Sequence, residues 1–133
     1  MNIIGINTLV YMDALRDGAT QSELLGSIAE LGVTLAEVRR EYIAGDDEFN
    51  AIANAARING LRLFYSVPES ITVNGDVNPR FEEFLDEAQR MGASNVRFNC
   101  IKIKKAKHIF NTLCIFFIIT YYFVMIKLIR VTY

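Results

Sequence analysis

The segment that decides the fold is residues 27–39, SIAELGVTLAEVR, in which a helical pattern ends at a glycine and a short apolar run follows. The same plan returns in residues 55–67, AARINGLRLFYSV, and in residues 87–99, EAQRMGASNVRFN. The glycines of these segments recur about every thirty residues, the length of one strand-plus-helix unit. The repeat therefore predicts an α/β fold in which helices and strands alternate.

Helix signals accompany each unit. Residues 20–23, TQSE, have the capping-box pattern and predict the start of the first helix. The second helix is expected to start near Asp46 or Asp47, and the third at the pair 78–79, Asn-Pro. At the helix ends a glycine favours the left-handed turn that other residues adopt at a cost, and these glycines are Gly32, Gly60 and Gly92.

Four strands are predicted, at residues 3–9, 35–40, 61–67 and 95–101. Because a helix separates each from the next, the strands should be parallel, and their long following loops should build the functional face. The expected architecture is a partial (β/α) TIM-type barrel made of the first four strands and three helices. An open doubly wound sheet shows the same alternation and is the alternative, although the first strand lacks the G-x-G-x-x-G turn of dinucleotide-binding folds.

Polar side chains interrupt strands that would be almost wholly apolar if both faces were buried. With a period of two, Glu37, Arg39 and Glu41 share one side of the second strand. Buried charges are costly unless paired, so they indicate either a polar barrel mouth that binds a ligand or a self-satisfied ion-pair network. Glu37 is the best candidate for a catalytic group. The candidate substrate-binding residues are Asn7, Glu37, Arg39, Glu41, Ser66, Arg97 and Asn99.

Residues 1–101 resemble the sugar phosphate isomerase/epimerase family, which has a xylose isomerase-like barrel. The resemblance lies in residues 4–7, IGIN, in the segments that end at Arg39 and Pro68, and in the segment that ends at Arg97. It implies aldose–ketose isomerisation or epimerisation of a sugar or sugar phosphate by metal-assisted proton transfer, with Mg²⁺, Mn²⁺, Zn²⁺ or Co²⁺. In that family the metal ligands come chiefly from later strands, so we expect a truncated, inactive member that binds no metal tightly.

The composition changes at Lys102. All fifteen acidic residues and all eight glycines come before it, whereas residues 102–133 contain five lysines, one arginine and no acid. Residues 109–126 are uncharged and mostly apolar, so residues 109–129 are just long enough for one membrane helix with a cytoplasmic N-terminal side. We interpret residues 102–133 as a non-homologous frameshifted or read-through stretch; a membrane anchor and a folded extension are the alternatives.

Three functions follow from these features. The first is the inactive isomerase-family fragment, located in the cytoplasm, where its two cysteines stay reduced. The second is a membrane-anchored, non-catalytic half-barrel that binds a sugar or a protein. The third is a metalloenzyme completed by self-association, because the two open edges of a half-barrel invite pairing. No nucleic-acid partner is expected, since the early strands lack the histidines of the related endonucleases.

Overall fold

The computed structural model describes residues 4–74 and 76–99. All of them belong to one unit of the chain, Met1–Ile101. The predicted tail, 102–133, and its apolar segment, 109–129, lie outside the described residues. Within the part that is described, no helix combines the length and the apolar character needed to cross a membrane.

Helices and strands alternate along the described chain, as the repeat predicts. Two short 3₁₀ turns, Thr8–Tyr11 and Arg40–Tyr42, follow the first and second strands. The strands are β1 (Gly5–Asn7), β2 (Leu35–Arg39), β3 (Arg62–Ser70), β4 (Thr72–Val73), β5 (Asp76–Val77) and β6 (Asn95–Asn99). The helices are α1 (Met12–Arg16), α2 (Gln21–Glu30), α3 (Asp46–Ile58) and α4 (Phe81–Met91).

The main sheet has four parallel strands in the order β1-β2-β3-β6. This confirms the α/β class and the parallel pairing. The order follows the chain without a reversal, so each helical connection leads to the next strand in the same direction. A small antiparallel pair, β4 with β5, lies between β3 and α4.

The hydrophobic core lies between one face of this sheet and three helices. Alternate residues of β2 and β3 point into it, among them Val38 and Tyr65, both fully buried. The helices α2, α3 and α4 contribute Leu25, Ile28, Phe49, Ile52, Ala56, Phe84, Ala88 and Met91. Side chains of opposite parity, such as Glu37 and Ser66, lie on the other side of the sheet, which we call the open face.

Some helix ends are predicted correctly by local sequence signals and others are not. The capping box is confirmed, because Thr20 Oγ1 accepts from the Glu23 amide at 3.4 Å and Glu23 Oε2 accepts from the Thr20 amide at 2.8 Å. The left-handed turns predicted after the helices are confirmed as well, since φ is 76° at Gly32, 64° at Gly60 and 68° at Gly92. The predicted start at Asn78 is two residues early. Its Oδ1 accepts from the Arg80 amide at 2.9 Å in a turn that precedes α4.

Helix α3 starts at Asp46, as predicted, but neither aspartate caps it. Asp46 and Asp47 lie in the first turn, but the cap position is Gly45 and no side chain caps it. Glu48 instead turns back, and its carboxylate accepts from the Ala44 amide and, at 2.8 Å, from the Gln21 amide. A buried acid thus joins the first turns of α2 and α3, a tertiary contact that local sequence cannot show.

Two of the predicted boundaries are wrong for identifiable reasons. The first strand was expected to reach Leu9 but ends at Asn7, whose Oδ1 accepts from the Leu9 amide at 2.9 Å and starts the 3₁₀ turn. The following loop contains the short helix α1, so the described part has four α-helices rather than three. The long loop expected after the third predicted strand, which was to end at residue 67, is replaced by the rest of β3 and by the paired strands β4 and β5.

Candidate functional site

Five of the seven predicted site residues form one polar network on the open face. They are Glu37, Arg39, Glu41, Ser66 and Arg97, and we call them the open-face cluster. They meet because β2, β3 and β6 are neighbours, with Arg39 beside Ser66 and Ser66 beside Arg97 in the strand register. The period of two and the parallel pairing therefore suffice to bring them together.

Both arginines of the cluster converge on one serine. Arg39 Nη1 lies 3.4 Å and Arg97 Nη2 lies 3.3 Å from Ser66 Oγ. Arg39 also donates from Nε to Glu41 Oε1 at 2.9 Å, while Arg97 reaches across β3 to form an ion pair with Glu37. The two acids and two arginines cancel, so the cluster carries no net charge.

Burial differs sharply within the cluster. Ser66 is 2% exposed, whereas the Arg97 side chain is 60% exposed and the Glu37 side chain 20%. Glu37 Oε1 is shielded from solvent, and its contact with Arg97 lacks the angles of a hydrogen bond. Within the described part of the chain, the ion pair with Arg97 is the only polar contact of this oxygen, so the Glu37 carboxylate can still accept a hydrogen bond from a ligand in the adjoining groove.

A groove of about 380 Å³ adjoins this carboxylate. It is lined by Gly5, Ile6, Asn7, Leu35, Glu37, Phe64 and Arg97. Leu35 and Phe64 supply apolar surface, and the carboxylate, amide and guanidinium groups supply polar contacts. A mostly apolar groove with a few convergent polar groups is the usual form of a small-molecule site.

The two predicted asparagines have separate roles. Asn7 lines the groove, and its Oδ1 accepts from the Leu9 amide, which fixes the side chain and leaves its NH₂ group as a donor for a ligand. Asn99 Nδ2 donates to the Pro68 carbonyl at 2.6 Å, next to the irregular pairing between β3 and β6. Asn99 therefore ties two strands together and does not join the open-face cluster.

Sequence reasoning missed a second charged network, on the helix-covered face. We call it the helix-side cluster, and its members are Arg40, Tyr65, Glu69, Arg80, Glu83 and Glu87. Arg40 Nε and Nη2 each lie 2.8 Å from one carboxylate oxygen of Glu87, and the Tyr65 hydroxyl donates to the same carboxylate. The opposite parity of Arg39 and Arg40 was a signal that these arginines face different sides.

The pKa values in the helix-side cluster indicate a structural role. Hydrogen bonding to Glu87 raises the pKa of the Arg40 guanidinium above its ordinary value. Burial, and then the hydrogen bond to Glu87, raise the pKa of the Tyr65 phenol far above its usual range. Tyr65 therefore stays protonated at any physiological pH, which makes it unsuited to act as a base.

Gln21 positions Arg39 from behind the sheet, and sequence reasoning missed it. The side chain is fully buried; its Oε1 accepts from Thr8 Oγ1 and from the Arg39 amide, each at 2.7 Å. Its Nε2 donates to the Arg39 carbonyl, also at 2.7 Å. A glutamine in a first helical turn usually faces solvent, so no local pattern identifies this contact.

The described acids do not fit the divalent metal that the resemblance implies. Glu37 and Glu41 are each engaged by an arginine, on opposite sides of Ser66. Across residues 4–74 and 76–99, no three His, Cys, Asp or Glu side chains converge as metal ligands would.

Comparison with known proteins does not identify a family for this chain. No family model matches the chain, and no curated protein sequence matches it. Function is therefore inferred from the groove and the open-face cluster.

Proposed function

We propose that the described residues are the N-terminal half of a β/α barrel of the sugar phosphate isomerase/epimerase type, and that the open face binds a sugar. The barrel is supported by the sequential strand order and by the position of the three long helices on one face. Successive right-handed crossovers leave helices outside and an open strand face inside, whereas a doubly wound sheet has helices on both faces.

The single observation that carries sugar binding is that the paired Glu37 carboxylate and Arg97 guanidinium line a partly apolar groove. A sugar hydroxyl would donate to the Glu37 carboxylate, and the Arg97 guanidinium would donate to a neighbouring sugar oxygen. The apolar C–H face of the sugar ring would pack on Phe64. Each contact matches a polyhydroxylated molecule, which offers donors, acceptors and an apolar face together.

In the family that the chain resembles, a carboxylate moves a proton between adjacent sugar carbons, and Glu37 is our best candidate for that role. The metal ligands of that family come chiefly from later strands. We therefore propose that the described residues bind a sugar and that they do not by themselves supply the metal ligands for isomerisation.

Calorimetric titration of the chain with an aldopentose, a ketohexose and their phosphate esters tests binding. Glu37→Gln and Arg97→Gln should each weaken the observed affinity at least tenfold, which corresponds to about 1.4 kcal/mol. The matched control is Arg62→Gln, which removes an exposed arginine at the first residue of β3. Failure of every sugar to bind, or equal affinity in all three variants, would refute the proposal.

Turnover is tested separately, by following aldose–ketose exchange by NMR with added Mg²⁺ or Mn²⁺. We expect no exchange above the rate without protein. Metal-dependent exchange that Glu37→Gln abolishes would show that the chain is an active isomerase and not only a binding module.

A further inference from the structure

The four-stranded sheet has two edges. Within the described part of the chain, β1 pairs only with β2, and β6 pairs only with β3. Each edge strand therefore presents a row of backbone N–H and C=O groups that no described strand satisfies. Such edges readily pair with another chain, and natural proteins usually cover or close them.

We propose that a second copy of this chain closes the sheet, with β6 of each copy pairing in parallel with β1 of the other around a two-fold axis. Four strands and their partners would then form an eight-stranded barrel, in which no edge remains. The inference rests on the barrel architecture proposed above, but not on sugar binding.

The apolar part of the open face supports a second copy as the occupant. Leu35 and Phe64 are only half-buried there, although both are large apolar side chains. Gly5 lies against Leu35 so closely that a Cβ atom on it would be 2.6 Å from Leu35 Cδ2. In a closed eight-stranded barrel both side chains would face the interior, where the sheet of the second copy would shield them from bulk solvent.

Charge also favours a second copy over a strongly acidic or basic partner. The open-face cluster is neutral, because the Glu37–Arg97 and Arg39–Glu41 ion pairs are formed within one chain. Two such faces can enclose a common interior without unpaired charge, which would be costly there.

Closure would also complete the binding surface. Arg97 lies on the edge strand β6, with its side chain 60% exposed. In the closed barrel this strand would neighbour the partner's β1, which ends at the partner's Asn7. Each binding groove would then be bounded by residues of both copies.

Cysteine cross-linking tests which edges meet. In a background with Cys100→Ser and Cys114→Ser, one chain carries Ile6→Cys on β1 and the other carries Val96→Cys on β6. Both positions are half-buried on the helix-covered face, and neighbouring strands lie within disulfide reach. The two chains are unfolded, mixed, refolded and oxidised. Phe98→Cys, two residues further along the same face of β6, tests whether β1 and β6 pair in a register shifted by two residues.

We expect a mixed disulfide between the Ile6→Cys chain and a β6 variant to form at least tenfold more than either self-disulfide. Asn54→Cys, exposed on α3, is the matched control and should not cross-link to Val96→Cys. Sedimentation of the unmodified chain should give twice its mass of 15.1 kDa. Circular dichroism checks that each cysteine variant folds.

Several results would overturn the proposal. A monomeric chain would do so, and so would β1–β1 or β6–β6 disulfides, which indicate a different edge pairing. A dimer that forms none of the cross-links in folded variants would show association through another surface. Sugar titration of the unmodified chain is an independent measurement, so binding without closure, or closure without binding, separates the two proposals.

Discussion

The open-face and helix-side clusters contain the same kinds of residues but differ in what covers them. Under α4, Arg40 binds Glu87 through two hydrogen bonds of 2.8 Å, and Glu87 is only 8% exposed. On the open face, Arg97 is mostly exposed and its contact with Glu37 leaves a carboxylate oxygen without a hydrogen bond.

This difference shows how a neighbouring helix decides the role of an ion pair. The Glu87 carboxylate accepts hydrogen bonds at both oxygens, because an unpaired buried charge is costly, and it holds α4 to the sheet; only Glu69 of this cluster keeps a buried oxygen, Oε2, without a hydrogen bond in the described part of the chain. The partly open charges keep donors and acceptors that a ligand can use. We therefore assign stability to the helix-side cluster and binding to the open-face cluster.

The largest effect is expected from Glu87→Gln, which tests the structural role. It removes the charge that pairs with Arg40 and weakens the acceptor for the Tyr65 hydroxyl. The free energy of unfolding should fall by about 3 kcal/mol, as for other buried pairs that lose one partner. Urea denaturation followed by circular dichroism measures it. Glu82→Gln, an exposed change on the same helix, should stay within about 0.5 kcal/mol.

A smaller loss is expected from Tyr65→Phe, which removes one hydrogen bond to a charged group. The free energy of unfolding should fall by about 2 kcal/mol. Because the pKa of Tyr65 is raised in the folded protein, the unfolded chain releases its proton first, and stability should decrease as the pH rises above about 10. Urea midpoints between pH 8 and 11 should show this added decrease in the unmodified chain, but not in the Phe variant.

Urea denaturation of variants in the open-face cluster should show almost no loss of stability. Arg97→Gln removes a mostly exposed side chain, so the free energy of unfolding should change by no more than about 1 kcal/mol. Glu37→Gln should behave similarly while weakening sugar affinity. A loss as large as that of Glu87→Gln would mean that the open-face cluster is structural, and the contrast between the clusters would disappear.

The smallest effect is expected at the exposed pair between Asp46 and Arg90. Arg90 Nη1 lies 2.6 Å from Asp46 Oδ1, and this hydrogen bond lowers the pKa of the Asp46 carboxyl. The pair should stabilise the fold at pH values above the ordinary pKa of an aspartate. This contribution should be lost as the pH falls through the lowered pKa of Asp46. Asp46→Asn should therefore reduce the acid sensitivity of the unfolding midpoint slightly, and 0.5 M NaCl should reduce the difference further.

Much of the open-face cluster could be predicted from sequence, because it depends on two regular features. Alternation along a strand places Glu37 and Arg39 on one side, and parallel pairing places Ser66 and Arg97 beside them. Asn99 was grouped with them by the same alternation, but the irregular pairing after Val67 brings it to the Pro68 carbonyl instead. A break in the pairing of this kind leaves no trace in residue alternation.

The sequence by itself determined the alternation of helices and strands, the capping box at Thr20, the left-handed glycines and the side of each strand on which its charges lie. These depend on residues within a few positions of one another, through hydrogen bonds, φ preferences and the period of two. Only the tertiary structure decided which charged side is covered. The buried Gln21 side chain bonds Arg39, Glu48 turns back to α2, and Arg40 bonds Glu87; these contacts join residues 18 to 47 positions apart. Such contacts arise from packing helices on a sheet, which no local pattern encodes.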